Sequence, residues 1–385
     1  MRLLHTSDWH LGRSLHSVPM LEHQGAFLDW LVRTVDEREV DCVVVAGDVF
    51  DRAVPPLEAV GAFESALERL SALCQVVLVP GNHDSPVRLG FASGLLERAG
   101  VHIRSTVDDI SRPVVIVSPD RSRMAVYGIP FLHPDLHHAQ LESGRTHEAV
   151  MSAAMERVRD DLVARGSDRS VVVAHAFVTG AQSSDSERDV SVGGIADVPA
   201  HVFHGVDYVA LGHLHRPQQV SAPDDVHVRY SGSPLPYSFS EEGVAKGVVL
   251  VDLPAVGPVT CEFVPCPVPR SLATITGTLQ ELLDDGQWAA AEGCWVRAVL
   301  TDARRPDDAM ERLRARFPFA IDLVYRPAAP DGGSGGSRPL DIAAADPVDV
   351  AVAFVEYATG SPADDAERRS LQAAVDAARL AEVGS

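Results

Sequence analysis

Short apolar runs broken by glycine, histidine and aspartate dominate the first two hundred residues. Residues 42–46, 76–79, 171–174 and 208–211 are runs of four or five apolar positions, each followed within two residues by glycine or histidine. A shorter run, residues 3–5, begins almost at Met1. Uninterrupted apolar strands, unlike alternating ones, are buried on both faces, as in a sheet covered by other layers. Between the runs, Leu28, Leu31, Val32 and Val35 mark one helical face, and Val60, Phe63, Leu67 and Leu70 mark another. From residue 229 to 264 the strands (248–251 and 261–264) are closely spaced with turns between them, which predicts an antiparallel extension.

A proline-rich stretch at residues 265–270 predicts a boundary. Beyond it, residues 272–276, 279–283, 295–300, 310–317 and 320–325 read as strand, helix, strand, helix, strand, a small α+β domain. Residues 330–337, rich in glycine and serine, read as a linker, and residues 348–357 and 366–380 as two short helices. The predicted layout is a catalytic domain over 1–268, a small domain over 269–328, a linker over 329–340 and a helical tail over 341–385. No internal repeat is visible.

Composition narrows the class. Of 385 residues, 46% are hydrophobic and 23% charged, which excludes global disorder. There are 54 acidic side chains against 33 basic ones, a net charge of −21, and Lys246 is the sole lysine. Acids outnumber bases on both sides of residue 270, so neither part is the basic body of a self-sufficient nucleic-acid binder. No signal-like segment precedes the first strand, and no apolar run is long enough to span a bilayer. Cys42, Cys74, Cys261, Cys266 and Cys294 are odd in number and lie mostly in apolar runs, and they read as reduced residues of a cytoplasmic protein. Cys261 and Cys266 lack a second pair, so no zinc site is expected there.

Metal-ligating residue types cluster after five of the predicted strands. Asp8 and His10 lie in Thr-Ser-Asp-Trp-His-Leu-Gly, Asp48 and Asp51 in Gly-Asp-Val-Phe-Asp, and Asn82, His83 and Asp84 in Gly-Asn-His-Asp-Ser. His175 closes the run 171–174, and His213 and His215 follow 208–211 in Gly-His-Leu-His. Ligands at the carboxyl ends of strands converge on one sheet edge, where α/β proteins place their sites. The i, i+2 spacing of Asp8/His10 and of His213/His215 predicts two side chains on one side of an extended segment. Gly47, Gly81 and Gly212 predict tight exits from the strands. A lone Asp-x-His is ordinarily a surface turn; five such clusters in order are not. Carboxylate, imidazole and amide without thiolate suit Mn²⁺ or Fe²⁺ better than structural Zn²⁺. Seven ligands exceed the needs of one ion and suit two bridged by a carboxylate, an arrangement that activates water for displacement at phosphorus. The predicted reaction class is phosphoester hydrolysis.

These ordered motifs resemble those of the calcineurin-like metallophosphoesterases. The longer context resembles more narrowly the bacterial SbcD nuclease subunits, on His-Thr-Ser-Asp-Trp-His-Leu-Gly, Val-Ala-His-Ala-Phe-Val and Asp-Tyr-Val-Ala-Leu-Gly-His-Leu-His-Arg-Pro-Gln. The most specific stretch is Tyr-Ser-Gly-Ser-Pro-Leu-Pro-Tyr-Ser-Phe-Ser-Glu at residues 230–241. The likeness covers residues 1–270 strongly and the rest in general layout. It implies an α/β fold, an α+β sandwich of the calcineurin-like type, with a smaller C-terminal α+β capping domain and a helical tail. It implies that Asp8, His10 and His215 hold one ion, that Asp48 bridges, and that Asn82, His175 and His213 hold the second. His83 is then catalytic, contacting the scissile phosphate or protonating the leaving oxygen. Asp84 would orient His83 or cap the following turn, and Asp51, where some relatives carry histidine, would support the ligands.

The same resemblance implies two Mn²⁺ ions, with Fe²⁺ the alternative, and a double-strand 3′–5′ exonuclease and single-strand or hairpin endonuclease. It implies work in DNA break processing with an SbcC-like coiled-coil ATPase, as a homodimer within a heterotetramer, in the cytoplasm and away from membranes. Two other readings stay open: a small-molecule phosphodiesterase or phosphatase on the same metal core, which the acidic balance favours, and a non-enzymatic scaffold on the same fold.

Other positions carry weaker signals. His5, His16 and His23 fit strand, loop and helix surface, and His133, His137 and His138 form a local cluster expected to be exposed. Residues 183–194 resemble a family loop beside the active site, or form a plain surface loop. Tyr237 and Phe239 either stack on a base or pack against the scaffold, the second being expected. Val348, Val352 and Val355, then Leu371, Val375 and Ala378, form narrow apolar stripes on helices too short to be stable unaided. They either fold back on residues 271–326 or, as the resemblance implies, grip the base of the ATPase. With a charge of −21, the basic track for DNA is expected from a second copy or from that ATPase.

Overall fold

The structure, a computed structural model, describes residues 1–187, 197–223, 226–327, 346–359 and 362–383. Met1–Ile275 with Gly286–Ala298 and Arg314–Asp322 form one compact unit. Thr276–Asp285, Val299–Leu313 and the described residues from Leu323 onward form a second.

Two six-stranded sheets build the first unit. In one, the order is Thr260–Pro265, Gly247–Asp252, Arg2–Thr6, Cys42–Ala46, Gln75–Val79 and Val101–Ile103. In the other it is Gln218–Val220, His227–Tyr230, Tyr208–Gly212, Arg169–His175, Arg123–Ile129 and Val114–Val117. The apolar runs explain the stacking. Cys42, Val44 and Ala46 point into a core shared with Val171, Val173, Tyr208 and Ala210 of the facing sheet. Val43 and Val45 point the other way, into a core with Leu28, Leu31, Phe63 and Leu67 of the helices Leu21–Glu37 and Leu57–Ser71. The helix His147–Arg165 covers the outer face of the second sheet. The result is the expected α/β sandwich, in four layers.

Differences from the sequence reading are local. On the helix Leu57–Ser71 the buried face is Ala59, Phe63, Ala66, Leu67 and Leu70, and Val60 is 40% exposed. The strands Val101–Ile103, Val114–Val117 and Arg123–Ile129 were not anticipated. Of the expected antiparallel extension, Gly247–Asp252 pairs antiparallel with Thr260–Pro265 and with Arg2–Thr6, whereas His227–Tyr230 runs parallel to Tyr208–Gly212. All five cysteines are free thiols.

Leu272–Gly277, Trp295–Leu300 and Ala320–Tyr325 form a three-stranded sheet in that order, with helices Leu279–Asp284 and Ala309–Arg316 between them in sequence. The expected linker at 330–337 lies outside the described residues. The helices Pro347–Thr359 and Asp365–Val383 pack on each other, with Val348 and Val352 buried and Phe354 exposed. Among the described residues, no helix is long and apolar enough to cross a membrane.

Two glycines give opposite expectations. A Cβ on Gly212 would lie 1.8 Å from the Ala46 carbonyl oxygen of the facing sheet, whereas one on Gly61, inside the helix Leu57–Ser71, would meet nothing within 4 Å. Gly61→Ala should therefore raise stability by about 0.5–1 kcal/mol through helix propensity. Gly212→Ala should separate the sheets at the site and lower it by about 3 kcal/mol or more. Urea unfolding of the two variants checks both signs.

Candidate metal centre

Every strand that carries a candidate ligand ends at the same edge of the sandwich. Arg2–Thr6, Cys42–Ala46 and Gln75–Val79 are parallel neighbours in one sheet, and Arg169–His175 and Tyr208–Gly212 are parallel neighbours in the other. Their exits are not extended, contrary to the i, i+2 expectation. Asp8, His10, Asp48 and His213 all have positive φ, at 53°, 46°, 49° and 105°. Left-handed backbone at four non-glycine residues is unfavourable and persists only where surrounding contacts enforce it. Here Asp8 N donates to Gly47 O and His10 N to Asp48 O, stitching one exit to the next. Trp9, fully buried, anchors the turn between the candidate ligands Asp8 and His10 against Phe27 and Phe63. Of the three glycines, only Gly47 uses positive φ; Gly81 and Gly212 are required by close approach, to the Asp48 carboxylate and the Ala46 carbonyl.

These exits gather Asp8, His10, Asp48, His83, Asp84, His175, His213 and His215 into buried positions. The ligand atoms of Asp8, His10 and His215 form one close group, those of Asp8, Asp48 and His175 a second, and those of His10, Asp48 and His83 a third. His10 Nε2 lies 3.0 Å from His215 Nε2. Asp48 Oδ2 lies 3.6 Å from His10 Nε2 and 3.5 Å from His175 Nε2, midway between the two flanks of the cluster. Asn82 Oδ1 lies 2.9 Å from His175 Nε2 and 3.3 Å from His213 Nδ1.

Hydrogen-bond accounting tests whether this cluster fits a cation. His175 Nδ1 faces the Ala46 carbonyl at 2.9 Å, so that nitrogen carries the proton and Nε2 is a bare lone pair. It meets Asn82 Oδ1, another acceptor, while the buried Asn82 Nδ2 has no partner. Two acceptors in contact, with the Asn82 amide donor turned away, is an arrangement a cation between them satisfies. Protonation is the costly alternative, because burial lowers the pKa of His175. Burial likewise pushes His10 well below its usual range and His213 to about 3. Burial and the Asp48 charge push Asp8 up, while Asp48, which burial would also raise, is held below its usual value by His175 and His83. Neutral imidazoles around paired carboxylates need shed no proton to ligate. The donor set fits divalent cations.

The remaining predicted residues take distinct places. His83 Nδ1 donates to the Asp51 backbone carbonyl at 2.8 Å, leaving Nε2 4.0 Å from Asp48 Oδ2. Asp51 thus supports His83 through its backbone, and its carboxylate lies 3.7 Å from His10 Nδ1. Asp84 does not touch His83; its carboxylate accepts the amides of Val49, Phe50 and Gly81 at 2.9–3.1 Å, tying two strand exits together. Burial and Asp48 raise it to about 7. The following turn is capped instead by Ser85. Tyr237 and Phe239 are buried, and Tyr237 OH donates to Trp9 O at 2.5 Å, so they pack rather than present a stacking face. His16, His23, His133, His137 and His138 stay outside the cluster. Residues 188–194 of the expected loop lie outside the described residues, but Ser186 and Glu187 reach His215, as does Glu241; none of the three was singled out from sequence.

His5 also stays outside, buried between the sheets with Nδ1 2.9 Å from Tyr208 OH and Nε2 3.1 Å from Leu211 O. Burial lowers its pKa to about 3. Folded His5 is neutral while the unfolded ring protonates near 6.5, so the unfolded state binds more protons across that interval. Stability from this residue is present above pH 6.5 and is lost as pH falls toward 3. Between pH 7 and pH 5 the protein should lose about 2 kcal/mol more than His5→Asn does, read by urea unfolding at both pH values.

Residues 1–217 match the family model of the calcineurin-like phosphoesterases. The chain belongs to that family. Residues 268–359 of this calcineurin-like phosphoesterase match a second model, SbcD_C, described as the type 5 capsule protein repressor C-terminal domain. The calcineurin-like resemblance is thus met over residues 1–217, and the SbcD resemblance in the C-terminal match. Among solved structures, the protein TT1561 of Thermus thermophilus is 14% identical, with 68% of this chain and 98% of that one covered and a TM-score of 0.40. A dimetal phosphatase from Danio rerio is 13% identical, covering 68% and 98%, at 0.41. GAP50, the anchor in the inner membrane complex of Plasmodium, is 13% identical, covering 69% and 84%, also at 0.41.

Proposed function

We propose that this phosphoesterase is a two-metal, Mn²⁺-dependent DNA nuclease subunit of the SbcD kind, acting on duplex ends and hairpins with an SbcC-like ATPase. The observation that carries the reading is the pair of facing acceptors, His175 Nε2 and Asn82 Oδ1, inside a buried cluster of five imidazoles and three carboxylates. Asp8, His10 and His215 would hold one ion, Asn82, His175 and His213 the other, and Asp48 both. Bound there, two divalent ions supply the charge that activates water and stabilises the oxygens of an in-line displacement at phosphorus.

The chain's own groups do the rest. The Asp51 carbonyl fixes the Nδ1–H of His83, so that Nε2 is the nitrogen turned to substrate. From there His83 contacts the scissile phosphate or hands a proton to the departing sugar oxygen. Trp9 and the Asp84 carboxylate hold the exits in register. The match at 268–359 supports an SbcC-like partner. In this reading residues 1–268 are catalytic, 269–328 form the cap, 329–340 link, and the tail over 341–385 docks on the coiled coil. The protein works in the cytoplasm as a homodimer within a heterotetramer, and the partner supplies the basic track that a net charge of −21 withholds.

The test is cleavage of linear duplex and hairpin DNA in Mn²⁺, with the ATPase and ATP, against a cyclic nucleotide in competition. Cutting abolished by EDTA is expected. Intact DNA with rapid turnover of the cyclic nucleotide would favour the small-molecule phosphodiesterase, the reading that the acidic balance supports.

A further inference from the structure

The metal cluster is backed on one flank by a buried ion pair that phosphoester chemistry does not itself require. Lys246 is 3% exposed and Glu241 2% exposed. The Lys246 ammonium donates to the Glu241 carboxylate, to the His215 carbonyl at 2.8 Å and to Ser233 Oγ at 2.9 Å, using all three of its protons. Glu241 Oε1 lies 3.4 Å from His215 Nδ1 and accepts from Ser186 Oγ at 2.5 Å and from the Tyr237 amide at 3.3 Å. Ser186 Oγ is itself 2.6 Å from His215 Nδ1, and Glu187 Oε1 accepts the His215 amide at 2.8 Å. Oxygen acceptors therefore surround Nδ1 of His215, and its Nε2 is the nitrogen turned to His10.

A buried ion pair is costly to desolvate and is seldom a source of net stability. Its geometry here accounts for its presence: the carboxylate orients a ligand ring, and the ammonium holds that carboxylate and the ligand's own backbone. On the opposite flank, among the described residues, His175 Nδ1 donates to the neutral Ala46 carbonyl rather than to a carboxylate. Carboxylate backing raises the basicity of a ligating imidazole and typically changes metal affinity about 10–100-fold.

We propose that Glu241 and Lys246 are positioning residues that fix His215 as its Nδ1–H tautomer, making the site of Asp8, His10 and His215 the tighter of the two metal sites. This rests on the two-metal reading above. Ser186 extends the same contact into the loop that follows residue 180.

Calorimetric titration of the metal-free full-length chain with Mn²⁺ tests it. Wild type should take up two ions in resolved steps. In Glu241→Gln/Lys246→Met, which removes both charges together, the tight step should weaken about 10–100-fold and the weak step should stay within about twofold. An unchanged tight step in a folded double variant would overturn the proposal, whereas a wild type that binds fewer than two ions would instead remove the two-metal reading. Nitrogen-15 spectra of the metal-free wild-type imidazoles provide a second arm that does not depend on the folding of the double variant. The His215 signal, identified by its loss in His215→Gln, should be that of an Nδ1–H tautomer, and an Nε2–H signal would overturn the proposal.

Discussion

His83→Ala should still bind two metal ions and should lose about 10²- to 10⁴-fold in phosphodiester cleavage. The ring is held by a single bond from Nδ1 to the Asp51 carbonyl, and its Nε2 stands 4.0 Å from the carboxylate assigned to both ions. Removing it deletes a proton carrier without deleting any of the seven proposed ligands. The defect should shrink when the leaving group is 4-nitrophenolate, which departs without a proton, and persist when it is a sugar alkoxide. His83 also falls in a close group with His10 and Asp48, so the alternative is concrete. Loss of an ion in His83→Ala would make it a ligand and withdraw its role as an acid.

Asp48→Asn should have the larger effect. Asp48 Oδ2 is within 3.6 Å of imidazole nitrogens on both flanks, and Oδ1 accepts the His83 amide at 2.9 Å. The amide preserves the shape but not the shared negative charge. Both ions should bind more weakly, and cleavage should fall below detection. The metal-free variant should be at least as stable as the wild type, because Asp48 crowds the buried Asp8 and raises its pKa. Ligand clusters of this kind are assembled against local stability. A variant that binds two ions with native affinity would show that Asp48 is not shared between them.

The strand ends and the side chains that gather there were legible because each apolar run stops where a chemical residue begins. Cys42–Ala46 is the clearest case, apolar at all five positions because it faces the second sheet on one side and helices on the other. What the spacing could not convey was how the exits bend. Asp8 and His10 were expected on an extended segment, and they come together on left-handed backbone enforced by bonds to Gly47 and Asp48, far away in sequence. The backing of His215 was illegible for the same reason. Ser186 and Glu241 are separated by 55 residues and meet only in the fold. One signal was available: the single lysine of the chain, five residues after Glu241, at the start of an apolar strand where a charge has no place unless paired. Strands at 101–129 escaped because they are short, edge-placed or interrupted, as Gly128 interrupts Arg123–Ile129.

The central claim is that one buried edge holds two divalent ions that together cleave phosphodiesters. Metal-free protein titrated with Mn²⁺, with bound metal counted and DNA hydrolysis followed at each addition, tests it most directly. Saturation at two ions per chain, with hydrolysis rising steeply as the second binds and vanishing in EDTA, is the predicted result. Saturation at one ion, or hydrolysis that survives removal of all metal, would contradict it.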